Sequence, residues 1–265
     1  MTSTRLWDRA AAIPATIDGR RRPEVTALPA GLPSVAELFD FMRDAETRFA
    51  TLRMRIVERA WTARGEDVTT IDVLLRHPGA ARVATSLPGS AVTGSTVSGP
   101  YEIWITDGEL VRTYASAHTL GTQRPVRARP RGLGDPDFPA ASRVYDPVTA
   151  LPAETLADTF VHPAGFCQNV LATGPCTITG TDLIGGREAI LLASDHPRTI
   201  GLAGDRSDFG LSLGVDRETG VIVRLIETIG GTVARHAEVT DLAPDAPLPP
   251  SAFEFAFPSG TTMLY

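Results

Sequence analysis

Cys167 and Cys176 are the two thiols of the chain, nine residues apart in FCQNVLATGPC, with His162 five residues before the first. Gly174-Pro175 allows a turn between them, so a disulfide is one reading. Closing so short a loop contributes about 2–3 kcal/mol in the chain-entropy picture, and the bond persists only in an oxidising compartment. Two free buried thiols are the second reading and a metal site with His162 the third. Only three ligands are in reach, and neither C-x2-C nor H-x3-H spacing occurs, so no metal is expected. GLSLG at 210–214 fits the G-x-S-x-G elbow, with Asp216 and His236 following in the order a hydrolase uses. An elbow requires strand, sharp turn and helix, whereas Ser212 lies in a strand that enters the Asp216–Gly220 turn. His77, His162 and His196 each precede proline. X-Pro pairs favour turns, which predicts solvent-side loops for all three. No phosphate loop and no G-x-G-x-x-G after a strand is present. The sequence nominates no catalytic residue and no cofactor, and leans away from an enzyme.

Arginine is the other chemically active group. All 25 basic residues are arginine, and 31 acids give a formal charge of −6. That balance argues against a nucleic-acid binder, whose affinity comes from neutralising phosphates. Arg48, Arg53, Arg55, Arg59 and Arg64 form one run, in which Arg53, Arg55 and Arg59 share a strand face with Val57 and Trp61. Arg124, Arg127, Arg129 and Arg131 crowd QRPVRARPRG. Guanidinium matches phosphate and carboxylate. Arg53, Arg55, Arg59, Arg127 and Arg129 are therefore candidate contacts for a lipid headgroup or an acidic partner. A solvated face balanced by the acids is the alternative.

The elements that would position these groups follow from periodicity. A chain of 265 residues, 43% hydrophobic with mean hydropathy near zero, can bury one large core. No run reaches the length of a membrane helix. Residues 1–33, with Arg20-Arg21-Arg22 followed by Pro23, Pro29 and Pro33, read as an irregular arm. They contain no apolar stretch of secretory type; the compartment is the cytoplasm at face value, or the cell envelope if a signal has been removed. At Ser34 a helix begins, with Glu37 completing a capping box and Val35, Leu38, Phe39, Met42, Ala45 and Phe49 forming one apolar stripe. Strands are predicted at 54–63, 69–76, 81–87, 101–106 and 111–115, with turns at 65–67, 77–79 and 107–108.

Residues 121–165 hold seven prolines and little periodicity, too long for an ordinary connection. Pro152–Phe160 reads as a short helix with Leu156 and Phe160 on one side, and the whole insertion is predicted to be a lid, or else a surface loop. Strands resume at 177–181 and 188–194. Hairpins then turn at Asp216–Gly220 and Gly230-Gly231, and a terminal strand alternates Phe253, Phe255 and Phe257. Val221, Val223 and Leu225 alternate with Ile222 and Ile226, so both faces of that strand are apolar. Either both faces are covered or one lines a cavity.

The order of these pieces resembles the LolA/LolB/RseB-like lipoprotein carriers over about residues 34–265. The resemblance is carried by the capped helix running into AETRFATLRMRIVERA, a strand ending in HP, and the YEIWITDGELVRTY hairpin. GREAILLASD, VDRETGVIVRLIE and AFEFAFPSG complete it. It implies an α+β fold: a strongly curved antiparallel sheet, an incomplete barrel, with helices packed on or plugging the concave face. It also implies a single domain over 34–265, and non-catalytic binding of a lipid, a lipoprotein acyl chain or another hydrophobic ligand in the hollow. Phe39, Met42, Tyr101, Ile103, Trp104, Leu156 and Phe160 would line that hollow, and Trp104→Ala or Phe160→Ala would weaken binding with little loss of fold. Two alternatives stay open. One is an RseB-like regulator that binds another polypeptide, a membrane-associated protein among the candidates. The other is an enzyme or accessory using the same cavity.

Overall fold

A computed structural model describes residues 16–17, 20–21, 27–87, 91–93, 96–126, 147–195 and 206–264. Arg127, Arg129 and most of the arm lie outside the described residues.

Period-two patterning between glycine turns builds one sheet of twelve strands. In spatial order these are β11 (Cys176–Ile184), β12 (Arg187–Asp195), β13 (Phe209–Asp216), β14 (Ile222–Ile229), β15 (Thr232–Pro244) and β3 (Thr51–Thr62). There follow β4 (Gly65–Arg76), β5 (Ala80–Ser86), β8 (Tyr101–Thr106), β9 (Leu110–Ala115), β10 (Leu120–Pro125) and β16 (Thr262–Leu264). Two small pairs stand apart, β1 (Thr16–Ile17) with β2 (Arg20–Arg21) and β6 (Ala91–Thr93) with β7 (Thr96–Ser98). Neighbours in the large sheet are antiparallel except β10 and β16, which run parallel. The sheet is two meanders joined where β15 pairs with β3, and it stays open, with β11 at one edge and β16 at the other.

That topology explains the long insertion. The chain leaves β10 near one edge and must re-enter at β11 on the other, ten strand spacings away. At about 4.8 Å each this is roughly 48 Å along the sheet. The crossing segment carries α2 (Leu156–Val161) and α3 (Pro163–Asn169). They join α1 (Val35–Arg43) in a thin helical layer on one sheet face, α1 against α3 and α2 against β14. The capping box forms as expected: Ser34 Oγ accepts from Glu37 N at 3.2 Å and Glu37 accepts from Ser34 N at 2.7 Å. A 3₁₀ turn, Ala45–Arg48, then tips the chain into β3.

Alternation sorts the faces. On β3, Leu52, Met54 and Ile56 are buried beneath the helices while Arg53, Arg55 and Arg59 point the other way. Pairing extends the inner rows through Met54, Val73, Val83 and Trp104, and in the other half through Leu192, Leu213, Leu225 and Ala237. Leu38, Met42, Leu156 and Phe160 join both halves into one core.

Two expectations are corrected, and one alternative left open is decided. The β3–β4 turn falls at Ala63-Arg64, because Gly65, at φ +123°, already pairs with Thr62. The residues Phe253–Phe257 form no strand. A 3₁₀ turn, Pro250–Phe253, ends in an extended segment that straps the outer face. There Tyr114 lies 5.9 Å from Phe255, itself 5.3 Å from Phe257, and Gly121 leaves room for the Phe257 ring. The alternating phenylalanines serve this second, smaller core rather than a ladder; pairing begins only at Thr262. At the start of β14, Val221, Ile222 and Val223 are all buried where the register slips by one residue. Ile184 fills the space over Gly214, so both faces are covered.

The Asp216–Gly220 turn is fixed from within. Asp216, buried, accepts two hydrogen bonds from Arg187 at 2.7 and 3.0 Å and two more from the backbone N–H and hydroxyl of Thr219 at 2.8 and 2.6 Å. These bonds with Asp216 come first in holding the Arg187 guanidinium above its ordinary range, against the cost of burial. Arg187→Gln is expected to cost about 3 kcal/mol, because a buried carboxylate loses its counter-ion; urea unfolding at pH 7 would measure it. Gly220, at φ +79°, packs on α1: an added Cβ would sit 3.0 Å from the Phe41 carbonyl and 3.1 Å from its ring. Gly220→Ala is expected to lower the unfolding midpoint through both backbone strain and that clash.

Candidate functional site

The helical layer and the sheet face beneath it are where the resemblance puts ligand. Of the seven expected lining residues, Met42 and Phe160 are fully buried and Leu156 nearly so, while Phe39 and Trp104 are half-buried against the same core. Tyr101 and Ile103 are elsewhere. Ile103 pairs with Ala84 and Tyr114, in the row that contains Arg55 and Asp72, and it belongs to the outer core under the phenylalanine strap. Strand alternation separates them from Trp104, which faces the helices. Leu38, Met42, Leu156 and Phe160 of the helices pack into the space above the sheet.

What holds the helices down is partly polar. His162 is the C-cap of α2 and the residue that starts α3. It was expected on a solvent-side loop; the structure buries it, because the corner between the two helices docks on the 3₁₀ turn. Its Nδ1 is 2.9 Å from Asp158, one helical turn earlier, and its Nε2 is 3.3 Å from Glu46. Glu46 also accepts from Val148 N at 2.9 Å. Two segments distant in sequence therefore meet at one imidazole, and Val148 is tied to it through Glu46. Burial alone would push its pKa down, but hydrogen bonds to Asp158 and Glu46 and the charges of both outweigh this, and it rises to about 9. Beside this cluster, Thr149 Oγ1 accepts from Gly79 N at 2.8 Å and lies 2.8 Å from His77 Nδ1, and the His77 ring stacks 5.5 Å from Phe49.

Between α1 and α3 the contact is soft. The Cys167 thiol lies 3.7 Å from Met42 Sδ, and Cys176 donates to the Leu171 carbonyl at 3.1 Å. Both cysteines, for which a bridge was one reading, are free thiols here. Burial pushes the Cys167 thiol well above its usual range, which makes it unreactive. Among the described residues no group of three or more His, Cys, Asp or Glu has a metal-holding arrangement.

The arginine run divides. Arg53 pairs with Asp241 at 2.9 Å, Arg55 with Asp72 at 2.6 Å and Arg59 with Glu66 at 2.7 Å, all on the outer face. Asp182, Arg224 and Glu238 continue the ladder. Each headgroup candidate in the described residues is thus already matched by an acid. As exposed pairs they contribute little; Arg55→Ala is expected to change stability by under about 1 kcal/mol, checked by thermal unfolding. Arg48 has a different role. It is buried, donates to the Phe41 carbonyl at 2.7 Å and sits 3.8 Å over the Phe41 ring. Burial lowers its pKa to about 10.

The hydrolase constellation does not assemble. Ser212 lies inside β13, opposite Ile226, and Ile226 separates it from His236 on β15. Asp216 is committed to Arg187 and Thr219. Phe41, the Gly220 approach and the Glu46–His162 contact were not found from sequence. Asp158 and His162, four apart in a helix, were the one available signal.

No family model and no curated protein matches the chain. Among solved structures, MucB is similar at 15% identity and TM-score 0.46, over 83% of this chain and 62% of that one. A conserved protein from Thermus thermophilus has 10% identity and TM-score 0.47, over 87% and 99%. LprF from Mycobacterium bovis has 11% identity and TM-score 0.37, over 88% and 100%. This chain spans less than two thirds of the length of MucB.

Proposed function

We propose that the protein binds a hydrophobic ligand, a lipid or the acyl chain of a lipoprotein, without catalysis, between the apolar sheet face and the helices that cover it. The observation that supports this is the construction of the cover. Helices of nine, six and seven residues, too short to be stable alone, lie over an apolar surface that extends across most of the sheet. Between α1 and α3 a thiol meets a thioether, a pairing that repacks readily, and the His162 cluster ties α2 and α3 to the 3₁₀ turn. Such a layer can lift as a unit and leave Leu52, Met54, Ile56, Val73 and Leu75 to an acyl chain. Among the described residues no helix is long and apolar enough to cross a membrane.

A second reading, binding of another polypeptide, is supported by β11. It is a nine-residue strand paired only with β12 among the described residues, and its Leu183 is 71% exposed. Its free edge can accept an added strand, although the irregular register at Gly180 shortens it. Native mass spectrometry after incubation with a bacterial lipid extract tests the first reading. A one-to-one adduct of an acyl-chain species is the expected result; an apo mass under these conditions, with capture of a peptide along β11, would replace it by the second.

A further inference from the structure

The outer face carries a cavity of about 320 Å³, in the size range of small-molecule sites. It opens between the C-terminal strap and the ends of β4 and β9. Arg76, Asp107, Arg112, Phe253, Glu254 and Phe255 line it. The strap makes one wall: the 3₁₀ turn lays the buried Phe253 ring under the Arg76 guanidinium, 4.7 Å from its centre.

The charges in this cavity are not equivalent. Arg112 is committed to Asp107 at 3.1 Å and to Gln123 at 3.1 Å. Asp107 in turn accepts from the backbone N–H of Leu110 and Glu109 at 2.8 and 3.0 Å besides Arg112. The Leu110 bond first, then the others, hold its carboxyl below the usual range against the opposing effect of burial. Glu254 is exposed at the rim. Arg76, by contrast, has no carboxylate partner among the described residues, and one face of its planar group is occupied by a ring. The edge of such a guanidinium still presents parallel N–H donors, which suit a bidentate oxyanion.

We propose that this cavity is a binding site for a small organic monocarboxylate with a flat apolar body. The carboxylate takes the Arg76 edge and the body lies against Phe253 and Phe255. With Arg112 paired to Asp107, the single charge of Arg76, with Glu254 at the rim, suits one negative charge and disfavours a phosphate dianion. The site lies on the sheet face opposite the helices and is independent of the acyl-chain proposal.

Calorimetric titration of the full chain with 2-naphthoate, and with the neutral 2-naphthalenemethanol, tests the proposal. Saturable binding of the carboxylate only is expected, weakened about tenfold or more by Arg76→Gln and by a smaller factor by Arg76→Lys, which keeps the charge and loses the planar fork. Phe255→Leu, scored beside an unfolding curve, is expected to weaken it as well. Absence of saturable 2-naphthoate binding, equal affinity for the neutral analogue, or affinity unchanged in Arg76→Gln would each overturn it.

Discussion

Replacing His162 with alanine is expected to cost about 3–5 kcal/mol, because Glu46 and Asp158 would be left facing each other with their shared cation gone. The side chain of His162 is 1% exposed and that of Glu46 3%, so little water replaces the lost bonds. The effect should depend on pH in a definite sense. The imidazole pKa is about 9 in the folded protein and about 6.5 in the unfolded chain. The folded state therefore binds the proton more tightly. The stabilisation is fully present below about pH 6.5 and is lost as pH rises through 9. By linkage the difference amounts to about 3 kcal/mol. Urea unfolding of the parent protein at pH 6 and pH 10 should show that loss. His162→Ala should show much less of it, since the titrating group is absent. A parent protein as stable at pH 10 as at pH 6 would contradict this.

Phe160→Ala is expected to be of similar size, about 3–5 kcal/mol. Phe160 is fully buried and joins the helical layer to both halves of the sheet. Its removal leaves a void that short helices on a rigid sheet cannot close. This replaces the sequence-based expectation of an intact fold with weaker binding. Trp104→Ala, at a half-buried position on the same face, is expected to cost less and is the better probe of ligand contact. Unfolding midpoints of the two variants, measured in parallel, check the order.

Much of this architecture was legible in the sequence where one local signal sufficed. Ser34 and Glu37 mark the helix start by themselves, and Asp107-Gly108 sets the β8–β9 hairpin. Thr155, at the N-cap, starts α2 within the stretch read as helical. What escaped were relations between distant residues. His162 before proline suggested a loop, and nothing local indicates that Glu46, far upstream, is its partner. Phe253, Phe255 and Phe257 carry a strand pattern, but which surface they cover depends on Tyr114 and Gly121, two strands away in the fold. The split of Tyr101 and Ile103 from Trp104 was available from parity along a strand; a mixed lining ignored it. The outer-face arginines illustrate the converse: their shared face was readable, but Asp72, Glu66 and Asp241 come to them only through cross-strand register.

Hydrogen–deuterium exchange with and without a diacyl phospholipid tests the displaceable cover most directly. Lipid should speed exchange in residues 155–169, which form α2 and α3, and slow it in β3, β4 and β5, whose inner face it would occupy. Unchanged exchange in 155–169 at lipid concentrations that saturate the protein would contradict a cover that lifts to admit an acyl chain.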